Sequence, residues 1–135
     1  MIVLDACAAL AMVTGSKEGV GLRELILNGE KITAPDLFKY ELLNVLRKYV
    51  KGGYVSKDIA LMWYNAAVCL VDEFCPIADM GPEILTETLT LDHPSYDISY
   101  LVLTRRTGST LFTLDKRLVE ACVARGVNCV EVADL

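Results

Sequence analysis

Short apolar runs alternate with longer stretches of helical character along this chain, and that alternation leaves few folds open to it. Residues 1–5 begin Met1-Ile2-Val3-Leu4 and close on Asp5. Comparable runs recur at 31–34, 74–78, 110–113 and 127–132. They are too short for helices and nearly all apolar, as strands covered on both faces are. Helices are expected between them: 16–28, Pro35-Asp36 to Lys51, 57–72 with Ser56 as N-cap, Gly81-Pro82 to Leu91, 95–107 and 116–125. Asn28-Gly29, Gly52-Gly53, Gly108 and Gly126 stand where four of these should stop. The pattern predicts an α/β domain, a three-layer α/β/α sandwich with a short central parallel sheet.

The 135 residues fit one domain spanning 1–135 with a single core. A hydrophobic fraction of 53% calls for a well-buried interior or a sizeable oligomer interface. No apolar run approaches the roughly 20 residues that span a bilayer, so no membrane association is expected. No basic segment precedes the first apolar run, so no signal peptide is expected and the fold should start at Met1. The cysteines are Cys7, Cys69, Cys75, Cys122 and Cys129, an odd count without CxxC spacing. That argues against a disulfide framework and a structural zinc site, and for buried free thiols in a reducing, cytoplasmic setting.

A net charge of −5 argues against loose, whole-surface binding of nucleic acid. The basic residues nevertheless group near particular acids. Lys39, Arg47, Lys48 and Lys51 lie near Glu41, Arg105 and Arg106 follow Asp97, and Lys116 and Arg117 follow Asp115. A basic rim around an acidic centre would hold a phosphate backbone, although most such residues simply solvate helix faces.

Four acids fall where an apolar run ends or a helix begins: Asp5, Glu41, Asp97 and Asp115. Each alone has an ordinary explanation. Asp5 and Asp115 suit helix N-caps. Glu41 forms a stripe with Asn44 and Lys48 at i, i+3 and i+7. Asp97 sits in a first helical turn, where negative charge is favoured. Together they mean more. Parallel sheets bind ligands at the carboxyl ends of their strands, where Asp5 and Asp115 stand and where helices just downstream deliver Glu41 and Asp97. Carboxylates so gathered would hold a hard divalent cation through oxygen ligands, and without metal their mutual repulsion should raise at least one pKa.

The order and context of the four resemble the PIN-domain family, and within it the ribonuclease toxins of VapBC toxin–antitoxin pairs. Ile2-Val3-Leu4-Asp5-Ala6 resembles the first strand and first acid of the family. Pro35-Asp36-Leu37 with Glu41-Leu42-Leu43-Asn44-Val45-Leu46 resembles the second motif, Tyr96-Asp97-Ile98-Ser99-Tyr100-Leu101 the third, and Thr113-Leu114-Asp115-Lys116-Arg117-Leu118 the fourth. The likeness covers essentially the whole chain. Three positions depart from it. Cys7 stands where many relatives carry a polar residue, Ile98-Ser99 replaces a smaller alanine-led pair, and Lys116-Arg117 occupies a place where some relatives add an acid.

The resemblance implies a metal-dependent endoribonuclease using Mg²⁺ or Mn²⁺. It makes Asp5 and Asp97 the principal ligands, with Glu41 and Asp115 completing the catalytic site directly or through waters. Thr113 and Asn44 would orient ligands or substrate from behind. It further implies an RNA substrate, a homodimer built through helical surfaces, and a small antitoxin covering the acids, one Arg of which enters the cluster. Two rival readings are a non-catalytic module of the same fold and a receiver-like signalling domain. The second wants an acidic pair after the first strand, which Asp5-Ala6-Cys7 lacks.

Other candidates rank lower. His93 is the sole histidine and precedes Pro94, so it reads as a helix-capping or exposed residue rather than a catalytic one. Gly15-Ser16-Lys17 lacks the full phosphate-loop pattern and reads as a turn and N-cap. Tyr49, Tyr54, Trp63 and Tyr64 read as core packing, with a groove for a partner helix as the alternative.

Overall fold

The structure is a computed structural model and describes residues 1–130. Its strands are β1 (Ile2–Leu4), β2 (Ile32–Pro35), β3 (Glu73–Cys75) and β4 (Thr110–Phe112). They pair in parallel in the order β3-β2-β1-β4. The first strand of the chain is therefore central, Ile2 standing beside Ile32 of β2 and Thr110 of β4. The helices are α1 (Ala6–Thr14), α2 (Lys17–Glu24), α3 (Phe38–Lys51), α4 (Lys57–Cys69), α5 (Gly81–Leu91), α6 (Ser95–Thr107) and α7 (Lys116–Ala124), with a 3-10 turn at Ala78–Met80.

The two-residue period of a strand divides the core into two layers. Ile2, Leu4, Ile32 and Ala34 face the layer built on α1, α2, α3 and α4, where Leu10, Leu22, Phe38 and Leu42 pack. Val3 and Leu111 face the other layer, with Ile98, Leu101, Leu118 and Cys122 from α6 and α7. The expected three-layer sandwich is what forms. Every residue from Ile98 to Thr104 is buried, so α6 is sandwiched between the sheet and its neighbouring helices. None of the described helices is long and apolar enough to cross a membrane.

Several boundaries differ from the sequence expectations. The segment after β1 is a helix, α1, because Asp5 caps it and its buried side chains include Ala6, Ala8, Ala9, Leu10 and Met12. Apolar nearly all round, it shows no helical period in the sequence. The helix expected over 16–28 ends early, at Glu24. Residues 25–30 turn the chain back toward β2, and Glu30 there binds the N-terminal ammonium at 2.8 Å. Strand β3 lies at the sheet edge and is only partly covered. Of the strand expected over 127–132, the described part contributes one parallel bridge, Cys129 to Leu111, and residues 131–132 lie outside the described residues. The cysteines are less uniformly buried than expected: Cys122 is buried, whereas Cys7 and Cys69 are exposed.

The turn and N-cap expected at Gly15-Ser16 and the N-cap expected at Ser56 hold. Gly15 closes α1 at φ 70°, and the Ser16 hydroxyl accepts from the Gly19 amide at 3.1 Å to open α2. Ser56 caps α4 in the same way through the Ile59 amide, at 3.2 Å.

Candidate functional site

Parallel pairing puts the carboxyl ends of β1 and β4 side by side, and the chain places acids just beyond both. Asp5 follows β1 and is 7% exposed. Its Oδ1 accepts from the Ala8 amide at 2.7 Å, so it does cap α1, and its Oδ2 accepts from the Thr113 hydroxyl. Thr113 follows β4, is fully buried, and accepts in turn from the Asp115 amide at 3.1 Å. One hydroxyl thus joins both strand ends to the start of α7. Asp115 caps α7, with Oδ1 accepting from the Arg117 amide at 3.0 Å and from the Leu118 amide at 3.4 Å. Its other oxygen accepts no hydrogen bond from the described residues. For Asp5 and Asp115 the capping role and a role in the cluster are compatible, because each carboxylate has two oxygens.

Glu41 comes from the first turn of α3 and Asp97 from the first turn of α6. Both lean over the strand ends, and with Asp5 and Asp115 they line one cleft of about 590 Å³. Asn44 and Lys48, on the same stripe of α3 as Glu41, also line it. Asn44 is exposed there and hydrogen-bonds none of the four acids, whereas Thr113 holds two of them.

Two residues not assigned to the site from the sequence complete the arrangement. Tyr100, one turn after Asp97, donates its hydroxyl to Glu41 Oε1 at 2.6 Å. In the sequence it looks like one more apolar position of α6. His93 is buried rather than capping or exposed, and its Nε2 lies 3.3 Å from Asp97 Oδ2. The approach is out of line for a hydrogen bond, and Nε2 has no hydrogen-bond partner among the described residues. His93, Asp97 and Asp115 each offer a ligand atom within 4.8 Å of the other two. The signal available in the sequence was the i, i+4 spacing of His93 and Asp97.

The electrostatics follow from this geometry. Burial raises the Asp5 pKa from 3.8 to about 6, against hydrogen bonds from Thr113 and Ala8 and with help from the charges of Asp115 and Asp97. Burial also raises Glu41 from 4.5 to about 7, against the Tyr100 hydrogen bond. Asp97 is raised by burial and then by Asp115, while His93 pulls the other way. Raised pKa values were expected from mutual repulsion. Desolvation proves the larger cause and repulsion the smaller one.

The expected basic rim is only partly present. Arg105 and Arg106 lie at the far end of α6 and bind Glu83 at 2.6 and 2.7 Å. Glu87 ties Arg105 to Arg125. That network clamps α5, α6 and the end of α7, away from the cleft. Lys48 lines the cleft and the charge of Arg117 acts on Asp97, so these two of the expected rim cations do stand beside the acids.

An apolar groove of about 630 Å³ adjoins the cleft, sharing Cys7 and Val45 with it. Tyr49, Tyr54 and Trp63 line this groove, and Tyr54 is 80% exposed. The aromatics near the α3–α4 junction are therefore groove walls more than core; Trp63 and Tyr64 pack against the core from its margin.

A parallel α/β/α sandwich with carboxylates from four separate segments around one cleft defines a protein built to gather acidic side chains at a strand edge. Comparison with known proteins makes the class definite. The sequence profile of the PIN domain matches residues 2–124, and this chain belongs to the PIN domain family. It is 26% identical to Ribonuclease VapC3 of Pyrobaculum aerophilum, over 88% of this chain and 92% of that one. Its fold matches the crystal structure of PAE2754, also from Pyrobaculum aerophilum, with a TM-score of 0.72 and 22% identity, covering 98% of this chain and 91% of that one.

Proposed function

We propose that this protein is a metal-dependent endoribonuclease that hydrolyses RNA phosphodiester bonds, the toxin of a toxin–antitoxin pair acting in the cytoplasm. The observation that carries this reading is the single cleft lined by Asp5, Glu41, Asp97 and Asp115. The relative VapC3 is named as a ribonuclease.

The donor set suits Mg²⁺ or Mn²⁺. Carboxylate oxygens are the ligands hard divalent cations take, and desolvated acids with raised pKa values gain most from a cation placed between them. Asp97 and Asp115 hold oxygens toward the open cleft, while Asp5 and Glu41 are steadied by Thr113 and Tyr100. Such an ion supplies charge neutralisation at the phosphate and acidifies water. The rest falls to the chain. Lys48 and Arg117 offset the acidic charge that repels an RNA backbone, and Asn44 offers an exposed amide to the substrate. Tyr40 and Tyr96, both exposed at the cleft, present faces on which unpaired bases stack. The adjoining apolar groove suits an antitoxin helix that continues over the acids, and the exposed apolar residues of the helices suit a homodimer.

The test is cleavage of a mixed RNA pool by wild type and Asp97→Asn, each with Mg²⁺, Mn²⁺ or EDTA. Wild type should cleave with metal only. The variant should fold and lose more than the roughly 10–100-fold that removal of an outer-shell partner costs. Absence of both cleavage and metal binding in the wild type would instead make the protein a non-catalytic interaction module.

A further inference from the structure

The strongest unexplained feature of the cleft is a nitrogen. The side chain of His93 is 5% exposed, yet its Nε2 has no hydrogen-bond partner among the described residues. A buried polar atom left so carries an uncompensated desolvation penalty, and folded proteins rarely keep one without a use. Nor is it placed by chance. Asp92 takes a left-handed conformation at φ 49°, the His93 amide donates to the Thr88 carbonyl at 3.3 Å, and Pro94 fixes the next residue at φ −56°. The turn between α5 and α6 thereby holds the imidazole one helical turn before Asp97.

We propose that His93 Nε2 is a direct ligand of the divalent cation in this cleft, together with Asp97 and Asp115. The inference rests on the metal-dependent reading above and deepens it: it names a nitrogen donor in a site otherwise composed of oxygens.

Two features of the geometry separate this from a simple ion pair. In an ion pair the N–H points at the carboxylate oxygen. Here Nε2 and Asp97 Oδ2 stand 3.3 Å apart without that alignment, as two donors do when both face a shared centre. The spacing also fits. With bonds of about 2.0–2.2 Å, neighbouring ligands of an octahedral ion lie about 3 Å apart and opposite ones about 4.2 Å. Nε2 and Oδ2 match the shorter separation, and the trio lies within 4.8 Å overall, a few tenths of an ångström from closing. Each Asp5 oxygen accepts one hydrogen bond, from Ala8 or Thr113, and keeps a further lone pair that can face the ion. The consequence is a preference among metals. Imidazole suits Fe²⁺, Ni²⁺ and Zn²⁺ best, and even Mn²⁺, the weakest binder of the first-row series, takes a nitrogen ligand more readily than Mg²⁺, which dehydrates reluctantly. Mn²⁺ should therefore be favoured over Mg²⁺.

Because His93 is the sole histidine, any histidine nitrogen signal belongs to it. Untagged full-length protein, stripped with EDTA and reloaded with Mn²⁺, is studied by pulsed EPR. The expected result is modulation from one directly bound ¹⁴N, replaced by the ¹⁵N pattern when the protein is made with ¹⁵N-histidine. In parallel, equilibrium dialysis of His93→Gln should show the Mn²⁺ over Mg²⁺ affinity ratio falling about 10-fold. Wild type that binds Mn²⁺ without histidine nitrogen coupling overturns this inference and leaves the metal-dependent reading standing. Wild type that binds no Mn²⁺ overturns both.

Discussion

Tyr100 donates its hydroxyl to Glu41 at 2.6 Å, joining the first turn of α3 to α6 across the cleft. Burial and the nearby Glu41 charge push the Tyr100 pKa far up, so the hydroxyl stays protonated and remains a donor. For Glu41 that bond is the chief influence opposing burial. Tyr100→Phe removes it and leaves the shape of α6 intact. The Glu41 pKa should then climb above about 7. A rise of about one unit would lower the ionised fraction near neutral pH about five-fold, at a stability cost of about 1 kcal/mol. Mn²⁺ affinity followed against pH should show the variant weak at pH 7 and recovering at pH 9. Coincident profiles for variant and wild type would show that the bond does not tune Glu41.

The raised carboxyls also set how the metal-free protein responds to pH. Asp5 moves from 3.8 to about 6 and Glu41 from 4.5 to about 7 on folding, so the folded state keeps protons the unfolded chain has released. Their contribution to stability is complete below about pH 4 and is lost as pH rises through 6 and 7. Glu83 and Glu87 have the opposite sign. Arg105 and Arg106 hold Glu83 down, and at Glu87 burial is outweighed by hydrogen bonds from Arg125 and Arg105. Stability from those two is lost only as pH falls below the ordinary Glu value of 4.5, outside the window. In EDTA the Tm should therefore be lower at pH 8 than at pH 5. Asp5 alone accounts for on the order of 1–2 kcal/mol of that difference. Saturating Mn²⁺ at pH 8 should recover it, because the ion binds only the folded state. A metal-free Tm that rises from pH 5 to pH 8 would contradict the buried-carboxyl account.

Where the chain announced these features and where it did not has physical causes. Asp5 and Asp115 were legible because an apolar run ends at each, and a parallel sheet brings such ends together. Glu41 taken alone read as part of a polar stripe with Asn44 and Lys48, and only its place just downstream of a strand, in company with the other three acids, pointed to the cleft. Helix α1 was legible only through the N-cap reading of Asp5, since Ala6, Ala8, Ala9, Leu10 and Met12 are all buried and leave no period to read. His93 was misjudged because a His before Pro usually sits at a surface cap; its burial depends on the Asp92 turn, a tertiary feature. Arg105 and Arg106 were credited to the cleft from proximity in sequence to Asp97. Eight residues along a helix is about 12 Å, enough to reach a different set of partners.

Gly19 is set by packing rather than chemistry. Helix α2 lies so close to α1 that a Cβ at Gly19 would come within 2.0 Å of the Ala11 carbonyl oxygen. Neither helix can yield without disturbing the Gly15-Ser16 corner between them. Gly19→Ala should cost about 3 kcal/mol or more, at the upper end of overpacking penalties. Urea titration checks this: the midpoint should fall sharply while the folded fraction keeps wild-type metal affinity. A midpoint near that of wild type would mean that the α1–α2 contact is looser than the structure has it.

Thr113 allows the supporting role expected of it to be separated from simple packing. Its hydroxyl donates to Asp5 and accepts from the Asp115 amide, and the side chain is fully buried. Thr113→Val keeps the shape and removes both bonds. The Asp115 amide loses its acceptor and Asp5 loses the strongest influence holding its pKa down, so that pKa should rise beyond about 6. The expected cost is about 2–3 kcal/mol of stability. Mn²⁺ affinity should also fall at pH 7 and recover in part at pH 8.5, as the more basic Asp5 ionises. Thr113→Ser keeps the hydroxyl, so it should restore the pH profile while giving up a methyl's worth of packing, about 1 kcal/mol. Calorimetric Mn²⁺ titrations of the three proteins at both pH values separate the two roles. Equal affinities for Val and Ser variants at pH 7 would reduce Thr113 to a packing residue; a Val-specific loss that eases at higher pH identifies its hydroxyl as what readies Asp5 for the metal.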